Sequence, residues 1–140
     1  MRPRYEKPDD RVRQWDAILG YCHALGVVPR STDELAAWDY TLWHGQRMVA
    51  IVEVKCRRCA SYSYPTYLIG IRKMETLRDE AARRGVPGRL LVRWTDGSGV
   101  IDATDALETA GRAQGGRADR DDPEDMEPVL HIPIARFRRV

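Results

Sequence analysis

The sequence lacks any long apolar run, and no window of the chain approaches the roughly 18 uncharged apolar residues that a membrane-spanning helix needs. Residues 1–10 carry Arg, Lys, Glu and Asp and no apolar stretch, so no secretory signal is predicted and a cytoplasmic (intracellular) protein is expected. Cysteine is also scarce, with three residues in 140. Three thiols cannot all pair with one another, and intracellular thiols stay reduced, which argues against a disulfide framework.

Lysine is the scarcer of the two strongly basic residues. Of 23 basic residues, only three are lysines, at positions 7, 55 and 73. The formal net charge of +2 conceals a basic middle, because ten basic residues face three acidic ones between Val54 and Arg93. Such a stretch either contacts phosphates or forms a solvated surface.

The hydrophobic content of 43% predicts one globular domain over residues 1–140.

The first half of the chain predicts a helix followed by a hairpin. Residues 9–25 have helical periodicity, with Gly26 as the stop. The predicted apolar face of this helix consists of Val12, Trp15, Leu19 and Cys22. Aromatic and β-favouring residues at 38–43, a turn at 44–46 and the apolar run MVAIVEV at 48–54 predict the hairpin. A run of that kind is typical of a central strand buried on both faces.

The second half predicts a long helix and then further strands. The helix is predicted over 66–84, with one face formed by Tyr67, Ile71, Met74, Leu77 or Arg78, and Ala81. Strands are predicted at 90–94, 100–101 and 129–134, and a mobile loop at 108–127. This order of elements predicts an α/β fold with a mixed central sheet flanked by helices.

Glu53 is the anomaly of the predicted hairpin, since a carboxylate inside a buried strand is costly unless something neutralises it. Lys55 follows two residues later, on the same face of the strand. Asp39 lies across the hairpin, and the turn geometry brings it near Glu53. Carboxylates gathered in this way suit a hard cation such as Mg²⁺, which takes oxygen ligands. A lysine beside the ion positions a water or stabilises charge on a phosphate.

These residues carry a resemblance to a known family. Asp39 followed by Glu53-Val54-Lys55 resembles the D…(D/E)-x-K signature of the PD-(D/E)XK nuclease superfamily. The segment WDYTLWHGQRMVAIVEVKCR resembles the hairpin of archaeal Holliday-junction resolvases and of small phage-encoded members. The resemblance covers roughly residues 9–95. It implies a restriction-endonuclease-like αβββαβ core and a Mg²⁺-dependent nuclease, with Mn²⁺ as a substitute, acting on DNA.

The resemblance also implies roles for particular residues. Asp39 and Glu53 would be metal ligands, together with the main-chain carbonyl of Val54, and Lys55 would be the catalytic lysine. Many members add an acid from the first helix, for which the candidates are Asp16 or Asp9 and, with less support, Glu6. Some members add a polar residue on the helix after the motif, where Lys73 stands. The residue before Asp39 is Trp38, which departs from the proline of the signature.

The predicted contacts with nucleic acid come from the basic middle and one aromatic side chain. These residues are Arg57, Arg58, Tyr67, Arg72 and Lys73. An endonuclease is favoured over an exonuclease, and the DNA substrate, from branched junctions to specific duplex sites, stays open. A homodimer suits an enzyme that cuts two strands.

Three alternatives stand beside the nuclease. In the first, the chain is a non-catalytic module for nucleic acid or protein that retained the nuclease fold. In the second, Glu53 and Lys55 form a purely structural pair at a strand end. In the third, Cys56 and Cys59 belong to a zinc-stabilised interaction domain, although only Cys22, His23 and His44 are available to complete such a site.

Overall fold

The computed structural model describes residues 8–32, 38–114 and 127–140. Three α-helices and nine strands alternate within these ranges. The helices are α1 (Pro8–Leu25), α2 (Ile71–Arg83) and α3 (Ala103–Thr109). The strands are β1 (Val28–Ser31), β2 (Tyr40–His44), β3 (Arg47–Cys56), β4 (Thr66–Gly70), β5 (Gly88–Trp94), β6 (Gly97–Asp102), β7 (Gly111–Gln114), β8 (Pro128–Pro133) and β9 (Arg138–Arg139).

The main sheet has six strands in the order β1-β2-β3-β5-β6-β9. Strands β3 and β5 run parallel, and all other neighbours in the sheet run antiparallel. The predicted hairpin is β2 and β3, joined by a tight turn in which Gly45 takes a φ of 61°, a conformation that favours glycine. The predicted mixed central sheet is therefore confirmed, with β3 near its middle.

Two apolar layers cover this sheet. Helix α1 packs on one face through Ala17, Ile18 and Tyr21. On the other face lie α2 and α3, with Met74 and Leu77 of α2 among the core residues. Helix α2 comes so close to β5 that a Cβ atom on Gly88 would lie 2.8 Å from the Leu77 carbonyl oxygen. Only glycine permits that approach, which brings α2 against the middle of the sheet.

The predicted apolar face of α1 is wrong at three of its four positions. Val12, Trp15 and Leu19 are exposed, and only Cys22 is buried. The buried side of the helix is formed instead by Ala17, Ile18, Tyr21 and Cys22. The error has a physical reason: α1 carries apolar side chains on two sides, and periodicity alone does not say which side meets the sheet.

The long helix predicted over 66–84 is a strand followed by a helix. Thr66–Gly70 forms β4, which pairs with β8 in a second, three-stranded sheet of order β4-β8-β7. Tyr67 and Ile69 are buried with the period of two that a strand requires. The position of Tyr67 also continues the helical pattern of α2 through Ile71 and Met74, and the pairing with β8, about sixty residues away, selects the strand.

The loop predicted over 108–127 is also corrected at its start. Residues 108 and 109 end α3, and Gly111–Gln114 forms β7, paired with β8. Residues 115–126 lie outside the described ranges.

Among the helices that the structure describes, none has the length and apolar character needed to cross a membrane.

Candidate active site

Strand β3 carries the candidate site at its carboxyl-terminal end. Ala50, Val52 and Val54 face α1, while Ile51 packs toward α2. Glu53 points to the same side as Ile51 because side chains alternate along a strand. Glu53 is only 2% exposed, and among the residues that the structure describes it is the one charged residue that is buried. The predicted burial of an acid in the middle of the sheet is thus observed.

Asp39 lies just before β2, beside Glu53. Its N–H donates to the Val52 carbonyl oxygen at 3.1 Å, and its Oδ2 accepts a hydrogen bond from the Val54 N–H at 2.8 Å. The next residue, Tyr40, packs in the α1 layer, so alternation directs Asp39 to the side of Glu53. The hairpin therefore brings the two carboxyl groups together, as the sequence predicts.

Two lysines meet at one oxygen of Glu53. The Lys55 Nζ lies 3.6 Å from Glu53 Oε1, and the Lys73 Nζ lies 3.1 Å from the same atom. Lys55 arrives from β3 itself and Lys73 from α2. Of the three lysines in the chain, two therefore contact one buried carboxylate.

The charge balance of the site remains unfavourable for an ionised Glu53. Burial, and secondly the nearby charge of Asp39, raise the pKa of Glu53 to about 7, although Lys73 and Lys55 act to lower it. Glu53 Oε2 is buried and has no hydrogen-bond partner within the described structure. An orphaned carboxylate oxygen beside a second acid is an arrangement that a bound cation would stabilise. The donor atoms are all oxygens, which fits Mg²⁺ or Mn²⁺.

The acid predicted from the first helix lies elsewhere than expected. Asp16 is exposed and borders a shallow depression with Arg13 and Arg93, and Asp9 is exposed. Glu6 lies outside the described residues. Asp10 instead points toward the end of β3, since its carboxylate lies 3.6 Å from the Arg58 guanidinium.

Asp10 was missed because the buried side of α1 was misassigned. The buried residues Ala17, Ile18 and Tyr21 continue toward the N-terminus through Arg13 and Asp10 at helical spacing. Arg13 on this side donates to the Arg57 carbonyl oxygen at 2.7 Å. Within the described ranges no three Asp, Glu, His or Cys side chains form a metal-binding group, so Asp10 does not complete one with Asp39 and Glu53.

The predicted DNA contacts divide into exposed arginines and a buried tyrosine. Arg57, Arg58 and Arg72 are exposed. Tyr67 is buried, its ring meets Phe137 edge-on at 6.1 Å, and the Arg57 guanidinium covers it at 4.8 Å. Burial raises the pKa of Tyr67 to about 12. The packing does not support Tyr67 as a stacking surface for bases.

The zinc alternative gains no support from the cysteines. Cys56 and Cys59 are both free thiols, and burial raises the pKa of Cys56. Around them, the described part of the chain offers no group of three or more metal-binding side chains. A structural zinc site needs four ligands, so these cysteines do not form one with the described residues.

Comparisons with known proteins identify the family and the fold of the chain. A family model described as "Phage putative PDDEXK endonuclease" matches residues 1–140. No curated protein matches the chain. Among solved structures, the chain is similar to Hjc of Archaeoglobus fulgidus, a Holliday junction resolvase, with a TM-score of 0.63 and 12% identity over 92% of this chain and 90% of that one.

A second solved structure is similar to the chain over nearly its whole length. It is D212, a nuclease from a fusselovirus, with a TM-score of 0.51 and 18% identity over 97% of this chain and 90% of that one. At such identities the likeness shows the fold, and the restriction-endonuclease-like architecture predicted from the sequence is confirmed.

Proposed function

The chain belongs to the phage PDDEXK endonuclease family, and from this premise we propose that it is a metal-dependent nuclease that hydrolyses phosphodiester bonds in DNA. The observation that carries the proposal is the buried Glu53, with Asp39 on one side and the amines of Lys55 and Lys73 within 3.6 Å of one of its oxygens. A merely structural acid in this position would cost stability, because its second oxygen has no hydrogen-bond partner among the described residues.

Asp39 and Glu53 would hold a divalent cation, Mg²⁺ or Mn²⁺, with the main-chain carbonyl of Val54 as the further ligand that the family resemblance implies. Such an ion, when bound, polarises a phosphate and lowers the pKa of a bound water. Strand β3 fixes Glu53 in the sheet, and the hydrogen bond from the Val54 N–H fixes Asp39 against it. The chain thus supplies the two carboxylates on rigid elements, as a preorganised site requires.

The lysines supply positive charge where a phosphate would lie. The side chain of Lys55 is partly exposed and lies 3.6 Å from Glu53, farther than the 3.1 Å of Lys73. We assign to Lys55 the stabilisation of the developing charge on the phosphate, and to Lys73 the positioning of Glu53. Arg57, Arg58 and Arg72 extend this positive surface and would contact the DNA backbone.

We propose that the substrate is branched DNA and that the protein is an endonuclease, which cuts within a strand. The fold is shared with a protein named as a Holliday junction resolvase, at a TM-score of 0.63. Fold alone does not define a substrate, so the proposal rests on this likeness together with the basic surface around β3. We propose a cytoplasmic (intracellular) location, because the proposed substrate, DNA, lies inside the cell.

A panel of DNAs tests the function. Four-way junctions, flaps, single strands and intact duplex are incubated with the protein in Mg²⁺, Mn²⁺ or EDTA. We expect cuts in at least one branched DNA with either ion and none in EDTA, because the carboxylates alone do not activate water. Binding of DNA without cutting of any substrate in either ion would contradict the proposal and favour the non-catalytic module.

We also propose a homodimer, because an enzyme with two active sites cuts two strands most readily. The outer side of α1 exposes Val12 and Leu19 beside Trp15, whose ring packs on Tyr40 at 5.9 Å, and this apolar patch suits a symmetric contact with a second copy. Light scattering is expected to give twice the mass of one chain for the unmodified protein and a single-chain mass for Val12→Glu. An unmodified protein that remains monomeric at micromolar concentration would contradict the proposed homodimer.

A further inference from the structure

A cavity of about 390 Å³ lies beside the candidate active site and has no part in the chemistry proposed above. It opens between the segment that follows β3 and the small sheet of β4 and β8. Its lining includes Arg57, Tyr64, Tyr67, Leu68, Trp94 and His131. The volume lies in the range of about 300–1,000 Å³ that is usual for small-molecule sites.

The walls of the cavity suit a flat aromatic group. Tyr67 and Trp94 line its buried side, where each ring is held edge-on to Phe137, at 6.1 and 5.3 Å between ring centroids, and neither is the ring on which a base would stack. Tyr64 contributes an exposed ring at the rim, and Leu68 contributes a half-exposed aliphatic side chain. Two polar side chains, Arg57 and His131, add hydrogen-bonding groups to a mainly apolar lining. A nucleobase matches this lining, because its faces are apolar and its edges carry hydrogen-bonding groups.

Arg57 links the cavity to the active site. It follows Lys55 by two residues, and its N–H donates to the Arg93 carbonyl oxygen at 2.7 Å, which continues the β3–β5 pairing. Its guanidinium lies 4.8 Å from the centre of the Tyr67 ring. Because side chains alternate along β3 and its pairing with β5 continues to Arg57, the residues Glu53, Lys55 and Arg57 lie on the same face of the sheet. A DNA backbone at Lys55 would therefore bring its next nucleotide to the mouth of the cavity.

The segment that closes the cavity is held in place. The N–H and hydroxyl of Ser61 donate to the two carboxylate oxygens of Asp96, at 2.7 and 2.6 Å. The Thr95 N–H donates to the Cys59 carbonyl oxygen at 3.0 Å. These bonds tie the segment to the turn between β5 and β6, so the cavity is formed before any ligand arrives.

We propose that this cavity receives one unpaired nucleobase of the DNA, next to the phosphate that is cut. Bases of an intact duplex are paired and stacked, so a base reaches the cavity readily only from a junction, a flap or a single strand. The cavity would thereby give the enzyme its preference for branched over intact duplex DNA. This inference rests on the proposed function for the position of the phosphate, and its binding test does not require cleavage.

The binding test uses two matched pairs of variants and a fluorescent base. Leu68→Trp fills the cavity, and Leu25→Trp places the same side chain at an equally exposed leucine at the end of α1, with 45% and 46% exposure. Tyr64→Ala removes the ring at the rim, and Tyr62→Ala removes the neighbouring exposed ring that does not line the cavity. 2-Aminopurine is placed in junction DNA either unpaired beside the branch point or in a paired arm, and binding is measured in EDTA.

We expect the unpaired 2-aminopurine to change its fluorescence on binding to the parent protein, while the paired one does not. Leu68→Trp and Tyr64→Ala should each lose this signal and bind the junction about tenfold more weakly, the size expected for loss of one base–aromatic stack. Leu25→Trp and Tyr62→Ala should behave as the parent. Thermal unfolding checks that each variant is folded. If Leu68→Trp does not fold, the result for Tyr64→Ala alone tests the inference. Unchanged signal and affinity in the folded cavity variants would overturn the inference.

A cleavage assay separates this inference from the proposed function. An abasic site replaces the unpaired nucleotide, and the cutting rate is compared with that of the complete junction. We expect about a tenfold loss for the parent and no further loss for Tyr64→Ala, because both changes remove the same stack. A parent that cuts both DNAs equally refutes the base site and leaves the nuclease standing. A parent that cuts neither, while the fluorescence result holds, refutes the nuclease and leaves the base site standing.

Discussion

Glu53→Gln is expected to reduce metal-dependent DNA cleavage by about a thousandfold, the upper range for loss of one group that stabilises the transition state. The amide keeps the shape of the carboxyl group and lacks the negative charge that a divalent cation needs. Among the described residues no third carboxylate joins Asp39 and Glu53, so none replaces the charge that the substitution removes. The measurement is the initial rate on the best DNA of the panel, in Mg²⁺ and in Mn²⁺.

The matched control for this variant is Glu108→Gln, the same exchange at an exposed position of α3. It should cut at the parental rate. Glu53→Gln should also unfold at the parental temperature or slightly above it, because burial raises the pKa of Glu53 to about 7 and a neutral side chain avoids the cost of an ionised one. A folded Glu53→Gln protein with parental cleavage would remove Glu53 from the chemistry.

Lys55→Ala is expected to lower the cleavage rate by about a hundredfold while changing the affinity for DNA by less than about threefold. The reason is that one of several positive charges is lost from the binding surface, but the charge beside the reacting phosphate is lost entirely. Cleavage is followed under single-turnover conditions, and affinity is followed by fluorescence anisotropy in EDTA.

Lys73→Ala is the comparison that gives this prediction its specificity. Lys73 lies closer to Glu53, at 3.1 Å, and we assign to it the positioning of that carboxylate. Its removal should cost less in rate than the removal of Lys55. The reverse order, with Lys73→Ala the slower enzyme, would transfer the catalytic role from the strand to the helix.

The sequence was sufficient for those parts of the site that depend on local pairing. The short turn predicts that Asp39 and Glu53 lie close together, but its register alone would set Asp39 opposite Val52. A bulge between Leu42 and Trp43 shifts the β2–β3 register by one residue and brings Asp39 opposite Glu53, and the sequence does not predict that bulge. Lys55 follows from the period of two along a strand. Glu53 was conspicuous because an acid in an apolar run needs a compensating partner.

The parts that failed depend on contacts between distant segments. The sequence predicts a helix where β4 lies, because the pairing of β4 with β8, about sixty residues away, is not visible in the local pattern. The sequence predicts Asp16 as the acid of the first helix, but Asp16 is exposed, because packing sets the orientation of α1 on the sheet and both sides of that helix carry apolar residues. The contact of Lys73 with Glu53 likewise arises only when α2 packs on β3.

Titration of Mn²⁺ into the metal-free protein, followed by calorimetry, tests the central claim that Asp39 and Glu53 form one cation site. The account predicts saturable binding by the parent, and binding at least about tenfold weaker for both Asp39→Asn and Glu53→Gln, since each exchange removes a charged oxygen ligand. Affinity that is unchanged in both folded variants would contradict it.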